Sequence, residues 1–208
     1  YPPAVSALVA EAVLLTALIG QTMKLRWRLS LQVRGEGAVR LIATDYFGPE
    51  ADGRPAWIRA YAGFDRGDAV STRGTPFDLL GKGVFGLTID QGPQMAPYQG
   101  ITPLTGGSLA ACAETYFAQS EQLATRFTIS AAHAQAPGEA PRWRGAGLML
   151  QQLPQASPGA ERGAPSGEDG LMTGDDVAAM GDEEDAWTRV TLLAGTVEEH
   201  ELLGPRPG

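Results

Sequence analysis

The chain has 208 residues, of which 43% are hydrophobic and 19% are charged, the composition of a globular protein with a sizeable core. Its net charge of −8 is uneven, since residues 1–167 carry 14 basic and 13 acidic side chains, whereas residues 168–201 carry one arginine and 11 acids. A nearly neutral body exerts no general attraction on nucleic acid or anionic lipid, and one cysteine excludes an internal disulfide and a cysteine-rich metal site.

The N-terminal segment is an almost uninterrupted apolar run. Between Val5 and Ile19 only Ser6, Glu11 and Thr16 are polar, and their five-residue spacing builds no polar face. A helix that is apolar on all sides is a buried helix. The run is too short for a membrane span and carries a glutamate in its middle. No basic segment precedes it as in a signal peptide, so we expect a cytoplasmic protein.

Strict alternation of apolar and polar residues follows, which predicts a strand with one dry face. Together with strands at Val39–Tyr46 and Trp57–Phe64, it predicts an antiparallel meander over residues 24–64. Further predicted elements are a helical turn at 77–80, strands at 84–90 and 98–104, a helix at 109–122 capped by Ser108, and strands at 125–132 and 143–153.

The last quarter of the chain differs in composition from the rest. Residues 154–170 hold no aliphatic side chain larger than alanine, which predicts a mobile loop. Asp182 is a candidate N-cap for a final helix with apolar residues at three- and four-residue spacing, namely Trp187, Val190, Leu193, Ala194 and Val197. The expected organisation is a core at 1–153, a flexible acidic, Pro- and Gly-rich loop at 154–175, and a helical part of the core at 176–203.

Two motifs suggest chemistry but lack its context. Residues 81–86, GKGVFG, satisfy the dinucleotide pattern G-x-G-x-x-G, yet they lead into a predicted strand and no acid follows at the required distance. His133 and His200 are the only candidate bases for nucleophilic catalysis, and no G-x-S-x-G elbow is present. The acids at 182–185 and 198–201 lack the spacing of a calcium loop. We therefore expect no enzyme, no cofactor and no metal in this chain.

Five basic residues form a strip on the wet face of the first two predicted strands: Lys24, Arg26, Arg28, Arg34 and Arg40. This strip supports an alternative function as an RNA-binding accessory domain. Trp27 points to the opposite face, so the aromatic side chains that would stack on bases are missing. A charged, solvated sheet face is the simpler interpretation, and we expect no nucleic-acid partner.

The only cysteine, Cys112, lies on the apolar stripe of the predicted helix at 109–122. A thiol buried among apolar groups has a raised pKa and reacts slowly. We therefore predict that Cys112 is a packing residue without redox function.

Several ordered blocks of the sequence resemble one family. They are YQGITPLTGGSLAACAETYFAQSEQLATRF at 98–127, the helix after Tyr1-Pro2, LLGKG with LTIDQGP at 79–93, GAGLMLQQLP at 145–154 and TVEEHELL at 196–203. Together they resemble the Hsp33 family of redox-regulated chaperones.

The resemblance implies an α+β fold in three layers, sheet/helix/sheet, with one buried central helix. It also implies an ATP-independent holdase that binds unfolding proteins under oxidative stress and forms a homodimer. The family's zinc and its redox-switch cysteines would lie in a C-terminal domain beyond residue 208. For the surface that contacts client proteins, we single out Trp57, Ile58 and Phe64, which lie on both faces of one predicted strand.

Overall fold

A computed structural model describes residues 1–23, 28–50, 52–67, 74–90, 92, 94–134, 142–153 and 174–204; of residues 134, 174–184 and 199 it describes the backbone alone. The helices are α1 (Pro3–Thr22), α2 (Leu109–Tyr116), α3 (Gly174–Gly195) and α4 (Glu199–Leu203). The strands are β1 (Arg28–Gly35), β2 (Val39–Phe47), β3 (Trp57–Phe64), β4 (Gly83–Asp90), β5 (Tyr98–Pro103), β6 (Thr125–Ala134) and β7 (Arg142–Gln151). A 3₁₀ turn spans Pro76–Leu80.

The strands form two antiparallel sheets. The large sheet has the order β3-β2-β1-β4-β5, and the small sheet consists of β6 and β7. The predicted meander β1–β2–β3 is confirmed, and its dry face holds Leu29, Leu31 and Val33, all fully buried. The later strand β4 pairs with the free side of β1, an arrangement that the alternation of residues does not reveal.

Helix α1 lies between the two sheets. On one side Thr16 contacts Thr44 of β2 through hydroxyls 2.5 Å apart, and Gly20 lets the ring of Tyr46 pack against the helix backbone. On the other side Leu14 and Leu18 reach the small sheet, where they approach glycines of β7, Gly145 and Gly147. The predicted sheet/helix/sheet layering and the buried central helix are therefore confirmed. Although α1 is long and apolar enough to cross a membrane, its length and composition equally suit this core position.

Glu11, the acid in the middle of α1, binds the start of α2. Its carboxylate accepts the N–H of Ala110 at 3.0 Å and also that of Leu109. The predicted cap Ser108 accepts the N–H of Ala111 at 3.0 Å through its side chain. The free amides of the first turn of α2 are thus satisfied by two different elements, as buried helix ends require. Burial raises the pKa of the Glu11 carboxyl above its ordinary value of 4.5, against the lowering effect of the two amides.

Two glycines of the G-x-G-x-x-G pattern, Gly81 and Gly83, are required by the surrounding backbone. A Cβ on Gly83 would lie 2.0 Å from the carbonyl oxygen of Arg34, and Gly81 has a φ of +62°. In the β1–β2 hairpin, a Cβ on Gly37 would lie 2.4 Å from the carbonyl oxygen of Leu79. Two loops that are distant in sequence therefore interlock through their backbones, which explains these glycines without a nucleotide.

The residues of the 98–127 block hold α2 between the sheets. Gly100 of β5 leaves room for the buried ring of Tyr116, since a Cβ there would lie 2.4 Å from a ring carbon. Glu114 accepts the N–H of Phe127 at 2.9 Å and pairs with Arg126 at 2.6 Å, which ties α2 to β6. The helix predicted at 109–122 differs in its last part: residues 117–121 form a π turn, which ends in the left-handed conformation of Gln122.

The predicted start of the final helix was wrong. Helix α3 begins at Gly174, so Asp182 lies inside the helix and is not its N-cap. Of the apolar residues at three- and four-residue spacing, Ala194 is buried, whereas Val190 and Leu193 are exposed; α3 contacts β6 of the small sheet. The loop predicted at 154–170 lies outside the described residues.

We predict that Gly100→Ala lowers the free energy of unfolding by about 1–3 kcal/mol, because the new methyl group would displace the packed ring of Tyr116. Gly86→Ala is the matched control in the neighbouring strand β4, since its Cβ would meet no atom closer than 3.5 Å. Urea unfolding measures the free energy of unfolding of both variants. Equal losses of stability would contradict the tight contact.

We also predict a pH dependence for the cap on α2. Because burial raises the pKa of Glu11 in the folded state above 4.5, folding favours its protonated form. The stability of the wild type relative to Glu11→Gln should therefore rise as the pH falls from 7 towards 4.5. Urea unfolding at several pH values measures this difference, in which the other titrating groups cancel. A difference that is constant or falls with decreasing pH would refute the effect.

Candidate functional site

The outer face of the large sheet, which points away from α1, carries several large apolar side chains that are exposed to solvent. The strand register places alternate residues of all five strands on this face. Phe47, Trp57 and Tyr61 share it, and we call these three residues the aromatic patch. Trp57 is 47% exposed and Tyr61 is 57% exposed.

The aromatic patch is an ordered arrangement of stacked groups. The rings of Phe47 and Trp57 stack with centroids 4.0 Å apart and an interplanar angle of 10°. On the same ring of Phe47 the guanidinium of Arg59 lies 5.4 Å from the centroid, and it pairs with Asp45 at 2.7 Å. Arg59 separates Trp57 from Tyr61 along β3. The patch therefore presents exposed ring surface in fixed positions around a neutralised charge.

A cleft opens next to Trp57, between the C-terminal half of α1 and the β2–β3 hairpin. It encloses about 550 Å³. Its lining is apolar apart from one amide and one phenol: Ala17, Gln21, Tyr46, Pro49, Ala56, Trp57 and Ile58. Such a cleft suits an uncharged side chain that enters beside the aromatic patch.

A second group of apolar side chains lies on the same face across β1. Val84 of β4 is 39% exposed and Ile101 of β5 is 57% exposed, and they occupy neighbouring positions in the register. Contiguous exposed apolar surface of this kind marks interaction sites on soluble proteins. The polar residues of β1 lie between the two groups.

The basic strip is largely neutralised where the structure describes it. Arg28 pairs with Asp90 at 3.7 Å, and Arg40 pairs with Asp65 at 3.0 Å. Arg34 is exposed, while Lys24 and Arg26 lie outside the described residues. Acidic partners on the adjoining strands and loops weaken the field that a phosphate backbone would need.

The structure places the three predicted client-contact residues in different surroundings. Trp57 belongs to the aromatic patch. Ile58 points to the inner face, packs against the core and lines the cleft. Phe64 also packs against the core, and its ring meets the ring of Tyr1 edge-on at 5.7 Å. Client contact by these residues stays a prediction, but only Trp57 offers substantial free surface.

Sequence reasoning missed Phe47, Tyr61, Val84 and Ile101. Phe47 and Tyr61 lie at alternate positions from the polar residues Asp45 and Arg59, so they share the face that was expected to be wet. An apolar residue at a polar position of the alternation was the signal that could have identified them.

The sequence of this chain is similar to a family of known proteins. The family model described as Hsp33 protein matches residues 1–207. The chain belongs to the Hsp33 family. A 33 kDa chaperonin from Caulobacter vibrioides (strain NA1000 / CB15N) is 38% identical over 210 residues, which cover 99% of this chain and 60% of the relative. A 33 kDa chaperonin from Pseudomonas fluorescens (strain SBW25) is 32% identical over 204 residues, covering 98% of this chain and 56% of the relative.

The fold agrees with a solved Hsp33 structure. The crystal structure of the 33 kDa chaperonin from Thermotoga maritima superposes with a TM-score of 0.60 at 18% identity and covers 99% of this chain and 64% of that chain. This similarity shows the fold. The chain spans about 60% or less of the length of the two curated relatives, so the activity of the whole Hsp33 protein is a matter for proposal.

The residues of this Hsp33-family chain do not form a zinc site where they are described. Among those residues no three His, Cys, Asp or Glu side chains gather in one place. The single Cys112 is fully buried, and its thiol donates to the carbonyl oxygen of Thr105 at 3.2 Å. The zinc that the resemblance implies was expected beyond residue 208, and that expectation stays a prediction.

Cys112 should resist chemical modification in the folded protein. It is fully buried, and its burial raises the pKa of the thiol above its ordinary value of 9.0. We predict that Ellman's reagent at pH 8 reacts with Cys112 at least 100-fold more slowly in buffer than in denaturing urea. Glutathione in both solutions is the control for the effect of urea on the reagent. Rapid reaction in buffer would show that the thiol is accessible.

Proposed function

We propose that this chain is the client-binding part of an Hsp33-type chaperone that holds unfolding proteins without ATP. The aromatic patch on the outer face of the large sheet carries the proposal. Its rings are exposed in a fixed arrangement, in a family whose relatives bear the name 33 kDa chaperonin. Unfolding proteins expose apolar side chains, and a preformed apolar surface can cover them without regard to their sequence.

The size of the patch suits reversible holding. A tryptophan that is half exposed leaves about 100 Å² of ring surface free, which corresponds to about 2–3 kcal/mol when it is covered. The patch and the adjoining cleft together supply several such contributions. The sum allows micromolar capture and later release of a client.

The proposed activity requires no nucleotide and no catalysis. Gly81 and Gly83, two glycines of the nucleotide-like pattern, are explained by their close backbone contacts with Gly37 and Arg34. His133 packs against Trp143 with ring centroids 5.5 Å apart, and His200 pairs with Glu198 at 3.1 Å. The activity proposed here needs neither peroxide nor zinc, because it rests on apolar surface and Cys112 is buried. We place the protein in the cytoplasm, where an unfolding proteome supplies clients.

The homodimer implied by the resemblance is part of this proposal. Helix α3 exposes Leu192 and Leu193, each 67% exposed, together with Val190. A second chain could cover this apolar surface and leave the outer face of the large sheet free, because α3 contacts the small sheet.

We predict that this chain suppresses the aggregation of thermally unfolding citrate synthase at several-fold molar excess, without ATP and without peroxide. Trp57→Ser should weaken the suppression at least threefold, because it removes the largest ring of the aromatic patch. Light scattering measures the aggregation, and urea unfolding confirms that the variant is folded.

Trp143→Ser is the matched control, since Trp143 is 42% exposed, lies in a strand of the small sheet and should leave the suppression unchanged. No suppression by the wild type would refute the proposed function. Equal losses in the two variants would refute the assignment of the aromatic patch.

A further inference from the structure

The two edges of the large sheet differ in how their backbone groups are used. At the β3 edge the Tyr1 hydroxyl accepts the N–H of Ala62 at 3.1 Å, so this edge is partly occupied. The opposite edge is β5, which within the described residues pairs with β4 alone. The outer side of β5 is therefore available for further hydrogen bonding.

One hydrogen bond fixes which groups of β5 point outward. The N–H of Leu104 donates to the carbonyl oxygen of Gly83 at 3.0 Å, which makes these two residues a hydrogen-bonded pair. In an antiparallel ladder such pairs alternate with pairs that turn their backbone groups away from each other. By the register, Thr102 and Gly100 therefore bond to β4, whereas Ile101 and Gln99 direct their N–H and C=O groups away from the sheet.

The surroundings of these outward groups favour an extended partner. Ile101 is 57% exposed beside Val84, so apolar surface accompanies the free backbone groups. Natural edge strands are commonly blocked by charged side chains or bulges, yet β5 has no charged residue and a continuous register with β4. Pro103, which has no N–H, closes one end of the edge.

We propose that the β5 edge binds an extended segment of a client polypeptide as a sixth strand of the large sheet, an inference that rests on the proposed function. The outward N–H and C=O groups of Ile101 and Gln99 offer up to four main-chain hydrogen bonds to such a segment. Main-chain bonds are available from any sequence, which suits a chaperone with varied clients. A typical stable protein–protein interface has about ten hydrogen bonds, so the four bonds of this edge favour a client segment over a second copy of the chain.

Amide hydrogen exchange followed by NMR tests the proposal. The probe is a twelve-residue peptide of alternating valine and threonine with a lysine at each end. In the free protein the amides of Ile101 and Gln99 should exchange quickly, and those of Gly100 and Thr102 slowly. Saturating peptide should slow exchange at Ile101 and Gln99 at least tenfold and change the other two amides little. Uniform slowing along β5, or none, would overturn the proposal.

Matched variants distinguish the contribution of the backbone N–H to peptide binding from that of the side chain. Ile101→Pro removes the outward N–H without removing a bond to β4, and Ile101→Thr keeps it. The first should weaken peptide binding at least threefold, and the second should bind within twofold of the wild type. Gln99→Pro should repeat the loss, which keeps the test valid if one proline variant fails to fold. The peptide N-methylated at every residue, which has no N–H donor on either edge, should not bind.

The remaining outcomes are also decisive. Binding that is indifferent to both proline variants and to N-methylation would overturn the edge proposal. Protection of Ile101 and Gln99 that rises with protein concentration and needs no peptide would assign the edge to a second copy of the chain. If the wild type suppresses aggregation but the peptide does not bind, the edge proposal fails and the proposed function stands. If the wild type does neither, both fail.

Discussion

The need to cover α1 on both sides constrains the whole molecule. An apolar helix of twenty residues is stable in water only when its surface is buried, and here two separate sheets bury it. Leu14 and Leu18 can approach the small sheet because β7 has glycines opposite them, and Tyr46 can approach from the large sheet because α1 has Gly20. Glu11 then joins α1 to α2, so the one charged group of the core helix also fixes the second helix.

This arrangement explains why apolar surface remains on the outer face of the large sheet. The inner face of that sheet packs against α1 and α2, and Leu29, Leu31 and Phe85 are fully buried there. The outer face has no structural partner among the described residues, so Trp57 and Ile101 stay exposed. Because the outer face of the large sheet is not needed for the core, its exposed apolar side chains can serve in binding.

The sequence was sufficient for the parts of the fold that repeat with a regular period. The alternation of Leu29, Leu31 and Val33 predicted the dry face of β1, and the unbroken apolar run predicted the buried helix. The order of the strands was not predictable, because the pairing of β1 with β4 depends on contacts between distant segments. The start of α3 was missed because Asp182 is a good cap residue in a helix that had already begun. For the site, Trp57 was identified from its strand, whereas Tyr61 and Phe47 required the register that relates neighbouring strands.

The long separation in sequence between α1 and β7 has a consequence for biosynthesis. Leu14 and Leu18 of α1 pack against Gly145 and Gly147 of the small sheet. These glycines are synthesised more than 120 residues after the two leucines. At about 5–20 residues per second, translation takes roughly 6–25 s to cover that distance. Throughout this interval the most apolar helix of the protein stays half covered on the ribosome. A protein that we propose as a chaperone for unfolding chains thus itself exposes apolar surface while it is being synthesised.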